Sequence, residues 1–386
     1  MSSPTAPILF SSNSSWNLVN FRAPIIKALV ERGYRVAAAV PRDEEASALA
    51  RLGVELHHIP IDAQGISPFR DIKLLLAYEK LMRRLRPSAF LPFTVKPNLY
   101  GSIAAARRHI PTLNTITGLG TSFLSGRALK FIVTKIYRHA LRRSQVVFFH
   151  NSDDRDLFVA MGLVTPAQAR IVAGSGVDLR RFCPGSVAKD DPPVFLFLGR
   201  LLKDKGAKEF AQAAAMLGKS SDARFQMLGS VENHPKAVGK PELEPFISAG
   251  AIEILGEVAD VRPFIERASC VVLPSYREGL PRSLLEASAM GKPIITTDVP
   301  GCRHAVDEGL TGFLCEARSA ESLVAAIRKF LDVPADERRE MGRRGRRKAE
   351  IEFSDEGVVS AYFEAFPEVR EQSRGRSHSG DRGTSA

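Results

Sequence analysis

A chain of 386 residues, 44% of them apolar, exceeds the usual size of one core and predicts two domains of ordinary dimensions. It holds no run of about 18 apolar residues to span a bilayer, and its start lacks the basic and apolar stretches of a secretory signal, so a cytosolic location is expected. The formal charge of +11 calls for an anionic partner, whether polyanion, phosphorylated substrate or lipid surface. Cys183, Cys270, Cys302 and Cys315 are spaced too widely for a zinc site or a disulfide framework.

In chain order, the first apolar run is Ile8–Phe10. A loop of small hydrogen-bonding residues, Ser11 to Trp16 and including Asn13, follows it, then a helix through Pro24–Glu31 and a strand over Arg35–Val40. Further strands are expected at Glu55–Pro60, Ala89–Leu91, Thr112–Ile116 and Val146–Phe149, each separated by enough residues for a crossover helix. The segment Arg127–Arg143 interleaves Phe131, Ile132, Val133, Ile136 and Leu141 with cations. It suits either a core helix with a basic outer face or a helix lying on anionic lipid. After the Pro- and Asp-rich stretch Cys183–Pro193 the alternation restarts at Val194–Leu198. It continues through Phe225–Leu228, Ile252–Leu255, Cys270–Leu273 and Pro293–Thr296. The pattern is α/β, with two doubly wound Rossmann-like domains facing a cleft. Residues 1–183 form the first, with 354–366 packing back on it; residues 194–353 form the second; the Ser/Gly/Arg-rich residues 367–386 make a disordered tail.

Chemistry concentrates in the second half. Glu278 and Glu286 stand eight residues apart across a loop and a helix opening, with Pro281 suited to the first turn because its missing N–H would be unpaired there anyway. Free amides and the positive end of the helix dipole then face whatever anion lies ahead of them, and the carboxylates can accept hydrogen bonds from vicinal sugar hydroxyls. An ordinary helix start with two solvated glutamates has the same look. Gly199 and Arg200, with Lys205 behind them, follow the strand Val194–Leu198, so two cations sit at a strand's carboxyl end where a diphosphate can be neutralised. Gly279 lets a phosphate or sugar approach the backbone.

Gly199-Arg200…Lys205-Gly206, Leu255-Gly256, Pro274-Ser275…Glu278-Gly279…Pro281…Leu285-Glu286-Ala287, Gly291-Lys292-Pro293 and Gly312 together resemble the retaining glycosyltransferases of family 4, the two-Rossmann-domain GT-B type. In the first half, Asn20-Phe21-Arg22, Thr94-Val-Lys96-Pro97-Asn98 and Ile116-Thr-Gly118-Leu119-Gly120 are most similar to bacterial enzymes that extend lipid-linked oligosaccharides. The N-acetylgalactosaminyltransferases of that group are the nearest in kind. The resemblance implies a UDP-sugar donor and a polyprenyl-diphosphate-linked sugar acceptor at an anionic membrane surface, on the inner face of the cytoplasmic membrane. It implies neither cofactor nor metal. Arg200, Lys205 and Glu278 would be catalytic. Gly199, Gly279, Leu280, Pro281, Glu286, Asn13, Thr117 and Gly118 would bind the donor, and Gly256–Asp260 would read the base. Some relatives carry a histidine where this chain has Thr117, and His109, His139 and His150 only flank the region.

Asp153-Asp154-Arg-Asp156 looks like a metal-binding D-x-D but follows Asn151 and Ser152 at a helix start, where such residues cap amides. A nucleic-acid partner is not expected, because interleaved aromatics and a known motif are both lacking. The rival activity is a nucleotide-sugar 2-epimerase on the same pair of domains, which would use the donor without an acceptor.

Overall fold

The computed structural model describes residues 6–62, 67–119, 127–185, 192–218, 222–230 and 236–366. It divides into two compact units, one of Met1–Ser175 with Glu356–Ala386 and one of Gly176–Asp355.

Unit 1 runs β1 (Ile8–Ser11), α1 (Ser15–Phe21), α2 (Ala23–Glu31), β2 (Val36–Val40), α3 (Ala46–Ala50), β3 (Val54–His58), α4 (Pro68–Leu85), β4 (Ala89–Pro92), α5 (Ser102–Ala106), β5 (Leu113–Ile116), α6 (Arg127–Leu141), β6 (Val146–Phe149), α7 (Ser152–Ala160) and β7 (Ala169–Ile171). Its strands are parallel, in the order β3-β2-β1-β4 and β5-β6-β7. Single bridges from Phe90 to Thr112 and from Phe93 to Thr115 set β5 beside β4. β1, β2, β4, β5 and β6 are buried along their whole length, as expected for strands covered on both faces.

Unit 2 runs β8 (Val194–Leu198), α8 (Ala207–Leu217), β9 (Arg224–Leu228), α9 (Lys240–Ser248), β10 (Glu253–Gly256), α10 (Arg262–Arg267), β11 (Cys270–Leu273), α11 (Arg282–Ala289), β12 (Ile294–Thr297), β13 (Gly312–Cys315), α12 (Ala320–Asp332) and α13 (Ala335–Glu352). Its parallel sheet has the order β10-β9-β8-β11-β12-β13. In both units the first strand lies between the second and the fourth, which creates a topological switch point where the loops after the first and fourth strands diverge.

The division between units falls at Ser175 and not at 183. Val177 donates to the Phe353 carbonyl at 2.9 Å and accepts from Asp355 at 3.1 Å, so the chain's exit from unit 1 pairs with its return. Gly176, at φ +70°, sits against Asp355 so closely that a Cβ would meet the Asp355 Cα at 2.5 Å. Arg346 binds the carbonyls of Leu179 and Phe182, tying residues 176–183 to α13. The last helix, α14 (Asp355–Ala365), returns to unit 1. Its Tyr362 is fully buried, 4.5 Å from the Phe148 ring and hydrogen-bonded to Thr115 Oγ1 at 2.5 Å.

Two further differences from expectation concern loops. The Ser11–Trp16 segment is mostly spoken for: Ser11 closes β1, Ser14 caps α1 by accepting from the Asn17 amide at 3.2 Å, and α1 begins at Ser15. The helix through 127–143 ends at Leu141; Val133, Tyr137 and Leu141 are core residues, whereas Phe131 and Ile132 stay exposed. The tail 367–386 and Gly120 lie outside the described residues.

Candidate active site

At the switch point of unit 2, Gly199 and Arg200 follow β8 and the segment Pro274–Pro281 follows β11. Backbones there approach closely enough that side chains are excluded. A Cβ on Gly229 would meet the Gly199 carbonyl at 1.9 Å, and one on Gly206 the Pro274 carbonyl at 2.1 Å. Gly301, at φ +85°, has the Glu278 carbonyl 2.4 Å from where its Cβ would lie. Only glycine combines such proximity with a left-handed backbone. The amides of Gly199 and Gly229 in turn donate to Leu228 (3.0 Å) and Gly256 (2.9 Å), so three strand ends are laced together under the loops.

On this frame Lys205 Nζ donates to Glu278 Oε1. Ser275 Oγ lies 2.7 Å from the same carboxylate oxygen and 2.9 Å from the Asp204 carbonyl, which also accepts from the Tyr276 amide at 2.9 Å. The Glu278 amide donates to the Pro300 carbonyl at 3.1 Å, fixing the loop from its other side. Lys205 and Glu278 side chains are 22% and 13% exposed, so the pair is largely withdrawn from water yet reachable. A charged pair in such surroundings is oriented before any ligand arrives. Arg200 is exposed at the end of β8. Nearby Cys302 is buried, and its thiol is pushed up to about 12 by burial and then by the Glu278 carboxylate, leaving an uncharged packing group. None of the described residues shows a disulfide; Cys183 is exposed, and Cys270, Cys302 and Cys315 are buried free thiols.

α11 begins one residue later than the position foreseen for Pro281. Pro281 is its N-cap, with ψ 120°, and no side chain caps the helix or places an acid in its first turn. Leu284 and Leu285 amides close on the Pro281 carbonyl, at 3.0 and 3.3 Å. The helix end therefore keeps donor capacity and dipole for an anion in front of it. Leu280 and Pro281 are buried and Gly279 lies in the same turn. One helical turn inside, Glu286 accepts from Arg282 Nε at 3.0 Å. Burial pushes its carboxyl above the usual range despite the pull of Arg282. Around 256–260, Gly256 ends β10 at φ +78°, and Asp260 is held down to about 2 by hydrogen bonds from Arg262.

In unit 1 the Asn13 amide donates to Thr94 Oγ1 at 3.2 Å across its own switch point, between the ends of β1 and β4. Thr94 is held at φ +65°, a costly backbone for a β-branched residue, and a π-helical turn follows at Pro97–Gly101. Asn98 Nδ2 donates to the carbonyls of Thr94 (2.7 Å) and Thr115 (2.9 Å), so the Thr94 turn is locked to β5. Thr117 and Gly118 continue from β5, partly exposed, with Gly118 at φ +137°. His150 is buried and its ring is driven well below the ordinary histidine range by burial and by the neighbouring Arg22 charge, so it stays neutral. Asn151 caps α7 by accepting from the Asp154 amide at 2.8 Å, which makes the D-x-D lookalike a helix start.

Lys205, Glu278 and their neighbours thus come together, while Ser275, Gly229 and Gly301 were not singled out in the sequence as site residues. Ser275 was visible only as part of a Pro-Ser pair. The two glycines gave no local sign, because their need comes from backbone on other strands.

Two family profiles match the chain: "Glycosyl transferase 4-like" over residues 7–151 and "Glycosyl transferases group 1" over residues 182–348. The fold is that of solved structures such as Anabaena Alr3699/HepE in complex with UDP and glucose, with a TM-score of 0.76 at 16% identity, covering 93% of this chain and 98% of that one. Fold and matches define a glycosyltransferase of the GT-B class, built of two Rossmann-like units. The two matched models together are consistent with the family 4 type within it. It is 28% identical over 340 residues to the N,N'-diacetylbacillosaminyl-diphospho-undecaprenol alpha-1,3-N-acetylgalactosaminyltransferase of Campylobacter jejuni, covering 84% of this chain and 89% of the relative. It is 24% identical over 295 residues to the UDP-Gal:alpha-D-GlcNAc-diphosphoundecaprenol alpha-1,3-galactosyltransferase of Escherichia coli, covering 72% and 75%. Both are transferases, neither an epimerase.

Proposed function

We propose that the protein transfers a hexose or N-acetylhexosamine from a UDP-sugar to a polyprenyl-diphosphate-linked saccharide during surface polysaccharide or glycan assembly, with retention at the anomeric carbon. The observation that carries this reading is the Lys205–Glu278–Ser275 cluster at the switch point of unit 2, ahead of the uncapped α11. The acceptor class is supported by the two relatives, whose names specify undecaprenyl-diphosphate-linked sugars, and the nucleotide by HepE and the E. coli enzyme.

As the anomeric C–O bond breaks, both its electrons leave with the diphosphate and negative charge grows on the phosphate oxygens. Lys205, Arg200 and the amides at the start of α11 then stabilise the transition state more than the ground state. Glu278, its charge already oriented by Lys205 and Ser275, accepts hydrogen bonds from donor-sugar hydroxyls. Glu286 does so for the ribose, and Gly199, Gly279, Leu280 and Pro281 shape the floor. Asn13, Thr117 and Gly118, at the carboxyl ends of β1 and β5, are further contacts to sugar. The leaving phosphate takes the acceptor's proton, so no carboxylate need form a covalent bond, unlike paired-carboxylate glycoside hydrolysis. With cations covering the diphosphate, transfer is metal-independent. Activity therefore persists in EDTA.

The protein works at the inner face of the cytoplasmic membrane. Exposed Phe131 and Ile132, with Lys135 over the Phe131 ring, give α6 an apolar and cationic face suited to anionic lipid. The deciding experiment offers a panel of nucleotide sugars with and without a polyprenyl-diphosphate-linked saccharide. UDP release that requires the lipid-linked acceptor supports transfer; acceptor-independent conversion of the donor would make the protein an epimerase.

A further inference from the structure

The strands of unit 2 are parallel, so its sheet has one carboxyl end and one amino end. The groups described above follow Leu198 and Leu273, at the carboxyl end. At the other end a cavity of about 340 Å³ lies ahead of β11 and β12, bounded by Ala268–Ser269, by Met290–Pro293, by Pro184–Gly185 and by α13. The four residues of β11 separate the two ends by roughly 13 Å, at about 3.3 Å per residue. Among the described residues lining the cavity are six cations, Lys292, Arg338, Arg339, Arg343, Arg346 and Arg347, and no carboxylate.

Two of these cations are structural. Arg346 Nη1 donates to the carbonyls of Phe182 (2.8 Å) and Ala289 (2.7 Å), and Lys292 Nζ donates to the Glu266 carbonyl at 2.7 Å. The outer arginines are differently placed. Arg343 Nε and Arg347 Nη2 both pair with Glu340, at 2.7 and 2.8 Å, and Arg344 Nε shares the same carboxylate at 3.3 Å. Three guanidiniums on one carboxylate leave two positive charges over. Arg339, Arg343 and Arg347 recur at i, i+4 and i+8 on one helix face, a like-charge spacing that destabilises a helix by itself. Gly342, where a Cβ would meet the Gly291 carbonyl at 2.0 Å, lets α13 press onto the Gly291–Pro293 turn and brings that arginine face over the cavity. The floor is apolar, with Pro184, Ala268, Met290 and Pro293.

We propose that this cavity is a second anion site, which binds a phosphate ester or diphosphate through Arg339, Arg343 and Arg347 with its organic part on the apolar floor. Guanidinium forks match phosphoryl oxygens two at a time, and the exposed side chains, 43%, 61% and 56% accessible, can turn from Glu340 and Asp336 to a ligand without unfolding the helix. The site is independent of the nucleotide assignment, since it stands at the opposite end of the sheet.

The test uses the full chain, in parallel without nucleotide and with saturating UDP, and the outcomes below are read without nucleotide. Binding of inorganic pyrophosphate is measured by calorimetry and binding of phosphatidylglycerol-containing phosphatidylcholine vesicles by sedimentation, for wild type, Arg343→Gln/Arg347→Gln, Arg339→Gln and the control Arg328→Gln/Lys329→Gln on exposed α12 positions. A tenfold or greater loss in the double variant, a smaller loss in Arg339→Gln and none in the control supports the site. Loss confined to the pyrophosphate arm names a soluble ligand, and loss confined to the vesicle arm a lipid headgroup. The single variant decides if the double variant does not fold. No binding of either probe to wild type, or equal loss in the control, overturns the proposal. Failure of Lys205→Ala to weaken UDP binding would count against the nucleotide assignment alone.

Discussion

The two units share a strand order and differ in what they put at its switch point. In unit 1 the loops after the first and fourth strands meet through Asn13 and the strained Thr94, neutral groups backed by a buried amide and hydroxyl network in which Asn114 Nδ2 donates to Asn98 Oδ1 and to Ser102 Oγ, both at 2.8 Å. In unit 2 the equivalent loops bring Lys205 to Glu278 over a floor of glycines. One topology thus yields a neutral contact between the two loops in unit 1 and a charged, backbone-lined one in unit 2. The first suits a partner recognised through hydroxyls, and the second a partner that accumulates negative charge.

The strongest way to break this contrast is to exchange the importance of the two ends. Lys205→Ala should lower kcat by about 10²–10³-fold, the usual cost of removing one preorganised donor from developing charge, while Asn13→Ala should cost less than about tenfold. Steady-state kinetics on both variants checks it, and equal losses would erase the distinction. Next in size are the glycines. Gly301→Ala must push against the Glu278 carbonyl, at about 1–3 kcal/mol of stability on top of the left-handed penalty, and should abolish nucleotide binding. Gly162→Ala in unit 1, at φ +61° with nothing within 4 Å, pays only the left-handed penalty of about 1–2 kcal/mol and should bind nucleotide normally. Thermal melts with and without UDP separate the two.

Smaller effects follow from titration. The Glu286 carboxyl is raised, so its neutral form's contribution to stability is complete below the unfolded value and lost as pH rises through the folded one. Nucleotide affinity should accordingly fall on acidification at a higher pH than an ordinary glutamate sets, and Glu286→Gln should flatten that limb while leaving the fold as stable or slightly more so at neutral pH. His150 shifts the opposite way. Its contribution is present above about 6.5 and is lost as pH falls through its depressed folded value. His150→Asn should therefore reduce the acid dependence of urea midpoints, by a slope of at most about 1.4 kcal/mol per pH unit, with unit 2 unaffected.

The alternation of strands was readable where apolar runs are dense: Val146–Phe149, Val194–Leu198 and Cys270–Leu273 coincide with β6, β8 and β11 residue for residue. β7 and β13 escaped because Ala-Arg-Ile is short and partly exposed and Gly312 opens its strand with a residue poor in strand propensity. The place of the first boundary depends on Val177 pairing with Phe353 and Asp355, a contact that composition around Pro184–Pro193 does not reveal. At the site, residue types and order pointed to the charged groups, but the ion pair joins positions 73 apart in the chain, and only the packed sheet shows that Lys205 orients Glu278.

Unit 1 is assembled from both termini. Its core includes Val358, Tyr362 and Phe363 of α14, and Tyr362 covers aromatic rings contributed by β6 and the end of β4. Those residues follow Gly176–Asp355 in the chain, so the earlier-made portion of this unit must wait, without Tyr362 over Phe93 and Phe148, while everything from Gly176 to Asp355 is synthesised. Synthesis order and completion order are therefore reversed, and a nascent chain stalled before residue 355 should expose an apolar face that chaperones would recognise.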